Sequence, residues 1–287
     1  PGRRRWPKRL PEVSLETEAH VTSLTGEMSR TLLANGVEVL TERIPGVRSA
    51  SVGVWVRQGS AHEEPRLMGA SHLLEHMVFK GTARRTAREI AMALESLGGS
   101  LDAYTSREHT SFQARVLDEH LPIALEVLAD LVTGPLLSDE DLALEREVVL
   151  EEIATVEDTP DDLVFALHGS RFWRGHPYGN TILGTRDTVS TIPGEALRGL
   201  HRERYCGRNM VVAAAGNVHH DEVVDRVDGL FGGLPGGERA PALPPLPPPS
   251  VGEERVQRDS AQTHLVFGGP IPGHSDPRRY PLVLLSS

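Results

Sequence analysis

The sequence predicts an α+β fold in which helices cover one face of a mainly antiparallel sheet. In "RTLLANGVEVLTERI" two apolar runs flank Asn35-Gly36, the strongest short-range hairpin signal. In "SLDAYTSREHTSFQARVL" apolar and polar residues alternate on both sides of a turn, as two paired strands with one covered face would. Helical stretches are grouped between these strands, an order that favours segregated layers over a parallel βαβ sheet.

Taken in order, the hairpin around Asn35-Gly36 is followed by a third strand in "SASVGVWVRQG". Gly69 to Phe79 and Thr86 to Leu97 read as helices, the second closed by Gly98-Gly99, a pair suited to ending a helix. Residues 100–117 supply the next two strands. Three helices follow, over Asp118 to Val132, Asp139 to Glu157 and about Asp161 to Phe172. "GEALRGLHRERY" is a further helix, "NMVVAAAGNV" a buried strand and "HDEVVDRVDGLFGGL" a last helix.

The chain has 287 residues, 39% of them hydrophobic, enough for two domains of ordinary size. Asp and Glu outnumber Lys and Arg by 40 to 30, so a nucleic acid or an anionic membrane surface would be repelled. No apolar run is long enough to span a membrane, and the basic start "PGRRRWPKRLPEV" has no apolar stretch behind it. Neither a signal peptide nor a membrane segment is expected, and a cytoplasmic location is. With Cys206 as the single cysteine, an internal disulfide and a cysteine-based zinc site are both excluded.

"GGLPGGERAPALPPLPPPS" is too rich in Pro and Gly for helix or sheet and reads as a semi-rigid extended linker. The expected layout is an N-terminal extension over 1–25, a catalytic domain over 26–232, a linker over 233–252 and a second domain over 253–287. Aligned without gaps, Val54 to Leu67 falls on Val266 to Arg279 with the same order of strand, Gly-rich turn, acid-Pro-Arg and helix start. In that register His72 meets Leu284 and Glu75 meets Ser287, so the second copy lacks the polar chemistry of the first. "RRYPLVLLSS" breaks off in an apolar run, and the chain reads as truncated within that copy.

The chemistry concentrates in "GASHLLEHMVFKGT", where His72, Glu75 and His76 form His-x-x-Glu-His. At about 100° per residue they lie at roughly 0°, 300° and 40° around a helix, opposite Ala70, Leu73, Leu74, Met77 and Val78. Two imidazoles at i and i+4 can grip one Zn²⁺, with the glutamate left free to take a proton from water. A half-exposed polar face explains such a pair as well, and a catalytic zinc usually takes a third protein ligand. "DEDLALEREVVLEEIATVEDT" offers one. With Glu145 at 0°, Val148, Glu152, Val156, Val149 and Ile153 fall at roughly −60°, −20°, 20°, 40° and 80°. Glu145 and Glu152 therefore sit in an apolar stripe, where a carboxylate is costly unless it is paired or binds a cation. Glu152 is the candidate third ligand and Glu145 the supporting acid; buried salt bridges to arginines are the alternative.

"HLLEHMVFKGT" together with "EREVVLEEI" resembles the inverzincin metallopeptidases of the pitrilysin/insulinase (M16) family, most of all its mitochondrial-processing-peptidase-like branch. "NGVEVLTE", "GSAHE", "GGSLDAYTSREHTSF", "HPYG", "ILGT" and "NMVVAAAGNV" fall in the family's order, so the resemblance covers nearly the whole chain. It implies zinc on His72, His76 and Glu152, Glu75 as general base, and Glu145 as supporting acid in the catalytic machinery. It also implies that Asp102, Ala103, Tyr104 and Thr105 lie beside a bound peptide that adds a strand to the sheet edge. Asp102 stands where the family often has Asn.

The resemblance further implies a zinc endopeptidase acting on peptides or unfolded segments, paired with itself or with a related M16 subunit. A non-catalytic partner or scaffold is the alternative, as is a fragment inactive without its second half. His109, His168, His176, His219 and His220 show no ligand spacing and read as structural or surface residues. Cys206 reads as a small buried hydrophobe, and "RGHPYGN" as a loop near the cleft.

Overall fold

The computed structural model describes residues 27–259, 261–273 and 275–286; the expected N-terminal extension lies outside them. The strands are β1 (Glu27–Leu32), β2 (Glu38–Arg43), β3 (Ser49–Val56), β4 (Ser100–Thr105), β5 (Thr110–Leu117) and β6 (Met210–Gly216). They form one six-stranded sheet in the order β1-β2-β6-β3-β5-β4. The hairpin at Asn35-Gly36 forms as expected, Gly36 taking φ 94°. The sheet is mixed: β6 inserts between β2 and β3 and runs parallel to β2, because it returns to the sheet only after a long helical excursion.

The helices are α1 (Ala70–Val78), α2 (Ala87–Glu95), α3 (Leu121–Thr133), α4 (Asp139–Asp158), α5 (Pro160–Phe172), α6 (Arg186–Thr191), α7 (Gly194–Arg204), α8 (His220–Phe231) and α9 (Arg279–Ser286). The expected helix over 118–132 begins as a short turn at Asp118–His120, with Pro122 opening α3 proper. α6 is absent from the sequence reading. It is only six residues long, too short for a periodic signal, and a Thr185/Thr188 box caps it.

Val52, Val54, Val56, Phe112, Ala114, Val212 and Ala214 alternate inward from the central strands and meet the buried faces of α1, α3 and α8. α3, buried along most of its length, lies against β3 and β5. A buried Asp130 on α3 ties down the turn after α1, accepting from Thr82 Oγ1 (2.7 Å), Arg84 Nε (2.9 Å) and Arg85 Nη1 (2.7 Å).

The Pro-rich segment forms no helix or strand, as expected, but it is not a free spacer. Its first part is docked. Gly207 and Arg208 donate their N–H groups to Pro235 and Gly236 carbonyls, Asn209 Nδ2 donates to Glu238 O, and Ala240 N donates to Asn209 Oδ1 (2.7 Å). His176 Nε2 lies 3.1 Å from Pro244 O, and Ser250 N donates to Phe172 O. Proline removes donors but keeps its carbonyls, so an extended Pro-rich chain still accepts from a folded surface.

Candidate metal centre

α1 is set before its polar residues come into play. Gly69, at φ 92°, turns the chain into the helix where a side chain would collide with Leu183 O. Glu63 then caps the first turn, accepting from Gly69 N (2.8 Å) and Ser71 N (2.6 Å). Burial pushes the Glu63 carboxyl up to about 7 against the pull of those two donors. Ala70, Leu73, Leu74, Met77 and Val78 enter the core as the spacing predicts, which aims His72 and His76 at α4.

His72 Nε2 lies 3.6 Å from Glu152 Oε2, and His76 Nε2 lies 3.6 Å from Glu152 Oε1. One ligand atom from each of the three residues falls within 4.8 Å of the others. These separations exceed hydrogen-bond length, so three good donor atoms converge without bonding one another. His72 Nδ1 is buried with no hydrogen-bond partner among the described residues. Burial, then the neighbouring His76, lowers the His72 imidazole to about 4, which keeps it neutral near pH 7. Two imidazoles and a carboxylate around one point are a donor set that fits zinc.

The second ring nitrogen of His76 is also assigned. Nδ1 lies 3.1 Å from Glu145 Oε2; a carboxylate only accepts, so Nδ1 is the donor, and Nε2 is the ring nitrogen that faces the cluster. The other oxygen, Glu145 Oε1, is 2.6 Å from Lys80 Nζ. Glu145 is buried, as its place in the apolar stripe predicts, and its side-chain cation is Lys80, where the salt-bridge alternative had arginine. Glu152, by contrast, has a side chain 40% exposed, and Val148 beside it is also exposed. The stripe that packs is Leu142, Glu145, Val149 and Ile153; its flank toward Val148 faces outward.

Glu75, between the histidines, is buried and reaches the end of β4, where Thr105 Oγ1 donates to its Oε2 at 2.5 Å. Burial raises the Glu75 carboxyl above its usual range, and the Thr105 bond pulls it back. The fully enclosed Tyr205 lies within its field, and burial and the Glu75 charge push its phenol up.

β4 is an edge strand, paired only with β5 among the described residues. Asp102 and Tyr104 are exposed and Ala103 is half-buried, but Thr105 points inward to Glu75 rather than outward toward a peptide. Among the described residues, the histidines read as structural lie outside the cluster: His220 sits between Thr31 and Thr41 hydroxyls, each at 2.8 Å, and His109 contacts Tyr104 and Ser106. Cys206 is buried. The "RGHPYGN" loop packs on the β4–β5 turn, where Arg107 Nε donates to Tyr178 O (2.9 Å) and Tyr178 donates to Glu108. Lys80 and the inward role of Thr105 are not in the sequence reading. Lys80 stands four residues after His76, a spacing that places it on the same side of the chain.

Residues 38–186 match the family model described as insulinase (peptidase family M16). The chain belongs to the M16 peptidase family. Residues 191–287 match a second model, described as the peptidase M16 inactive domain. An uncharacterized zinc protease of Streptomyces coelicolor is 40% identical over 91% of this chain and 59% of its own length. Relatives named zinc proteases in Mycobacterium leprae and Bacillus subtilis are 42% and 39% identical, over 89% and 88% of this chain. The chain spans 58% and 61% of their lengths. Among solved structures, a Helicobacter pylori protease superposes with TM-score 0.73 at 24% identity, covering 78% of this chain and 55% of that one. Pitrilysin superposes with TM-score 0.68 at 27% identity, over 77% of this chain and 24% of its own. Nothing in these matches singles out the mitochondrial-processing branch of M16.

Proposed function

We propose that this M16 chain is a zinc-dependent endopeptidase unit that hydrolyses peptides or extended protein segments. Zinc is held by His72, His76 and Glu152, with Glu75 as general base. The observation that carries the reading is the convergence of three unbonded ligand atoms from α1 and α4 beside a buried, unligated carboxylate. When bound, zinc supplies Lewis acidity, which makes water more acidic and a carbonyl more electrophilic. The remaining work falls to the chain. Glu75 accepts a proton from water and passes it to the departing amine nitrogen. Glu145 holds His76 in one tautomer. The open edge of β4, at Asp102 to Tyr104, pairs with the substrate backbone.

Residues 26–232 would form the catalytic domain, 233–252 the connection and 253–287 the start of a second, motif-less domain. The partner in this reading is a second copy of the chain or a related M16 subunit. A non-catalytic partner subunit is the second reading, and the match of 191–287 to the inactive-domain model is compatible with it.

Zinc content by mass spectrometry, alongside cleavage of a peptide mixture, separates the two. Glu75→Gln is expected to keep zinc and to lose turnover by about 10²-fold or more. His72→Ala is expected to lose both. Equal turnover in wild type and Glu75→Gln overturns the assignment of the base; zinc binding with no turnover in any form favours the partner reading.

A further inference from the structure

We infer that Thr105 is the positioning residue of the base, holding Glu75 by Oε2 so that Oε1 alone is presented to water. The inference rests on the peptidase reading above. A carboxyl group rotates over a broad torsional range about its last bond, so Glu75 by itself does not fix the plane of its oxygens. The Thr105 hydroxyl, at 2.5 Å between two buried side chains, is the stronger of the two Thr105 groups that hold it, the other being the Thr105 backbone.

The direction of that bond is determined by its surroundings. Thr105 is paired across the strands with Thr110, whose hydroxyl lies 3.3 Å away and donates to Gln58 O at 2.9 Å. Each threonine has one proton and an ionised carboxylate has none, so the Thr105 proton points to Glu75. Gln58 is itself fastened to α1, its Nε2 donating to Ser71 Oγ at 3.0 Å. The base is therefore held from the sheet and from its own helix through one buried polar chain.

In the reaction a water O–H bond breaks and Oε1–H forms, while the water oxygen bonds to the scissile carbonyl carbon. The same proton then goes to the amine nitrogen as the C–N bond breaks. Thr105 keeps its own proton throughout, donating to Oε2 in both states of Glu75, so no hydroxyl has to rotate between the steps.

The test uses the full chain with Thr105→Val, which keeps the shape and removes the hydroxyl, and Thr105→Ser, which restores it, beside Glu75→Gln. Thr105→Val is expected to lower kcat on the order of 10- to 100-fold, with KM, zinc content and Tm close to wild type. Thr105→Ser should recover kcat. A readout independent of turnover is carbon-13 NMR of the metal-free protein. The Glu75 carboxyl resonance, assigned by its loss in Glu75→Gln, should move in Thr105→Val and return in Thr105→Ser. Wild-type kcat and an unmoved resonance in Thr105→Val would overturn the inference, as would equal loss in Val and Ser variants accompanied by a fallen Tm. If wild type shows no turnover above Glu75→Gln, the peptidase reading fails, and the resonance alone decides whether Thr105 orients the carboxylate.

Discussion

Glu145 makes two contacts at once, His76 Nδ1 through one oxygen and Lys80 Nζ through the other, from a position almost closed to solvent. The placement of an acid among Val148, Val149 and Ile153 was legible, because helical spacing puts it in an apolar stripe where an unpaired carboxylate is costly. The identity of the pairing cation was not, since Lys80 and Glu145 are far apart in sequence and nothing in either segment names the other. Lys80→Met keeps the aliphatic stem but leaves a buried carboxylate short of a cation. It should destabilise the metal-free protein by about 1–3 kcal/mol, measured by urea denaturation, with Lys80→Arg recovering most of the loss. A Lys80→Met midpoint equal to wild type would mean that Glu145 is satisfied by His76 alone.

Among the elements, α1 shows how much of a site depends on its surroundings. Its core face follows from periodicity, but its direction is set by Gly69, Glu63 and the turn behind it, which Asp130 grips through Thr82, Arg84 and Arg85. Burial tends to raise the Asp130 carboxyl, yet the Thr82, Arg85 and Arg84 bonds outweigh it and hold the group below its ordinary 3.8. With the folded value depressed, the stability it contributes is complete above about 3.8 and is lost as pH falls further, through the folded pKa. Asp130→Asn should therefore lower stability at pH 7 and flatten the acid limb. Urea midpoints at pH 7 and pH 3 give the check: the gap between wild type and variant should narrow at the lower pH, and a constant gap would locate the contribution elsewhere. α4 and the Pro-rich segment make the complementary point. Helical angles place Val148 near the packed stripe, but only the neighbours decide which flank is covered. Composition excludes regular structure in 233–252, but it cannot reveal that Asn209 and His176 hold that segment down.

For the whole molecule, the proposed metal site joins α1 and α4, so metal binding and folding should be coupled. At a zinc concentration about 100 times Kd, binding to the folded state alone adds about 2.7 kcal/mol. Scanning calorimetry should show Tm rising with zinc and falling back with a chelator, equally in wild type and Glu75→Gln and not in His72→Ala. An equal zinc effect in His72→Ala would place the metal somewhere other than α1 and α4. Among the described residues, no helix is long and apolar enough to cross a membrane.

The sequence by itself determined the classes of element, the covered face of α1, the shared face of His72 and His76 and the place of Glu145 in an apolar stripe. These depend on spacing along one helix at a time, which periodicity reports directly. Only the tertiary structure decided that β6 runs parallel to β2, that Lys80 neutralises Glu145, that Glu152 stays half open and that Thr105 turns inward to Glu75. Each of these joins residues distant in the chain, and such contacts are selected by how layers pack and which polar groups are buried together, not by any local pattern.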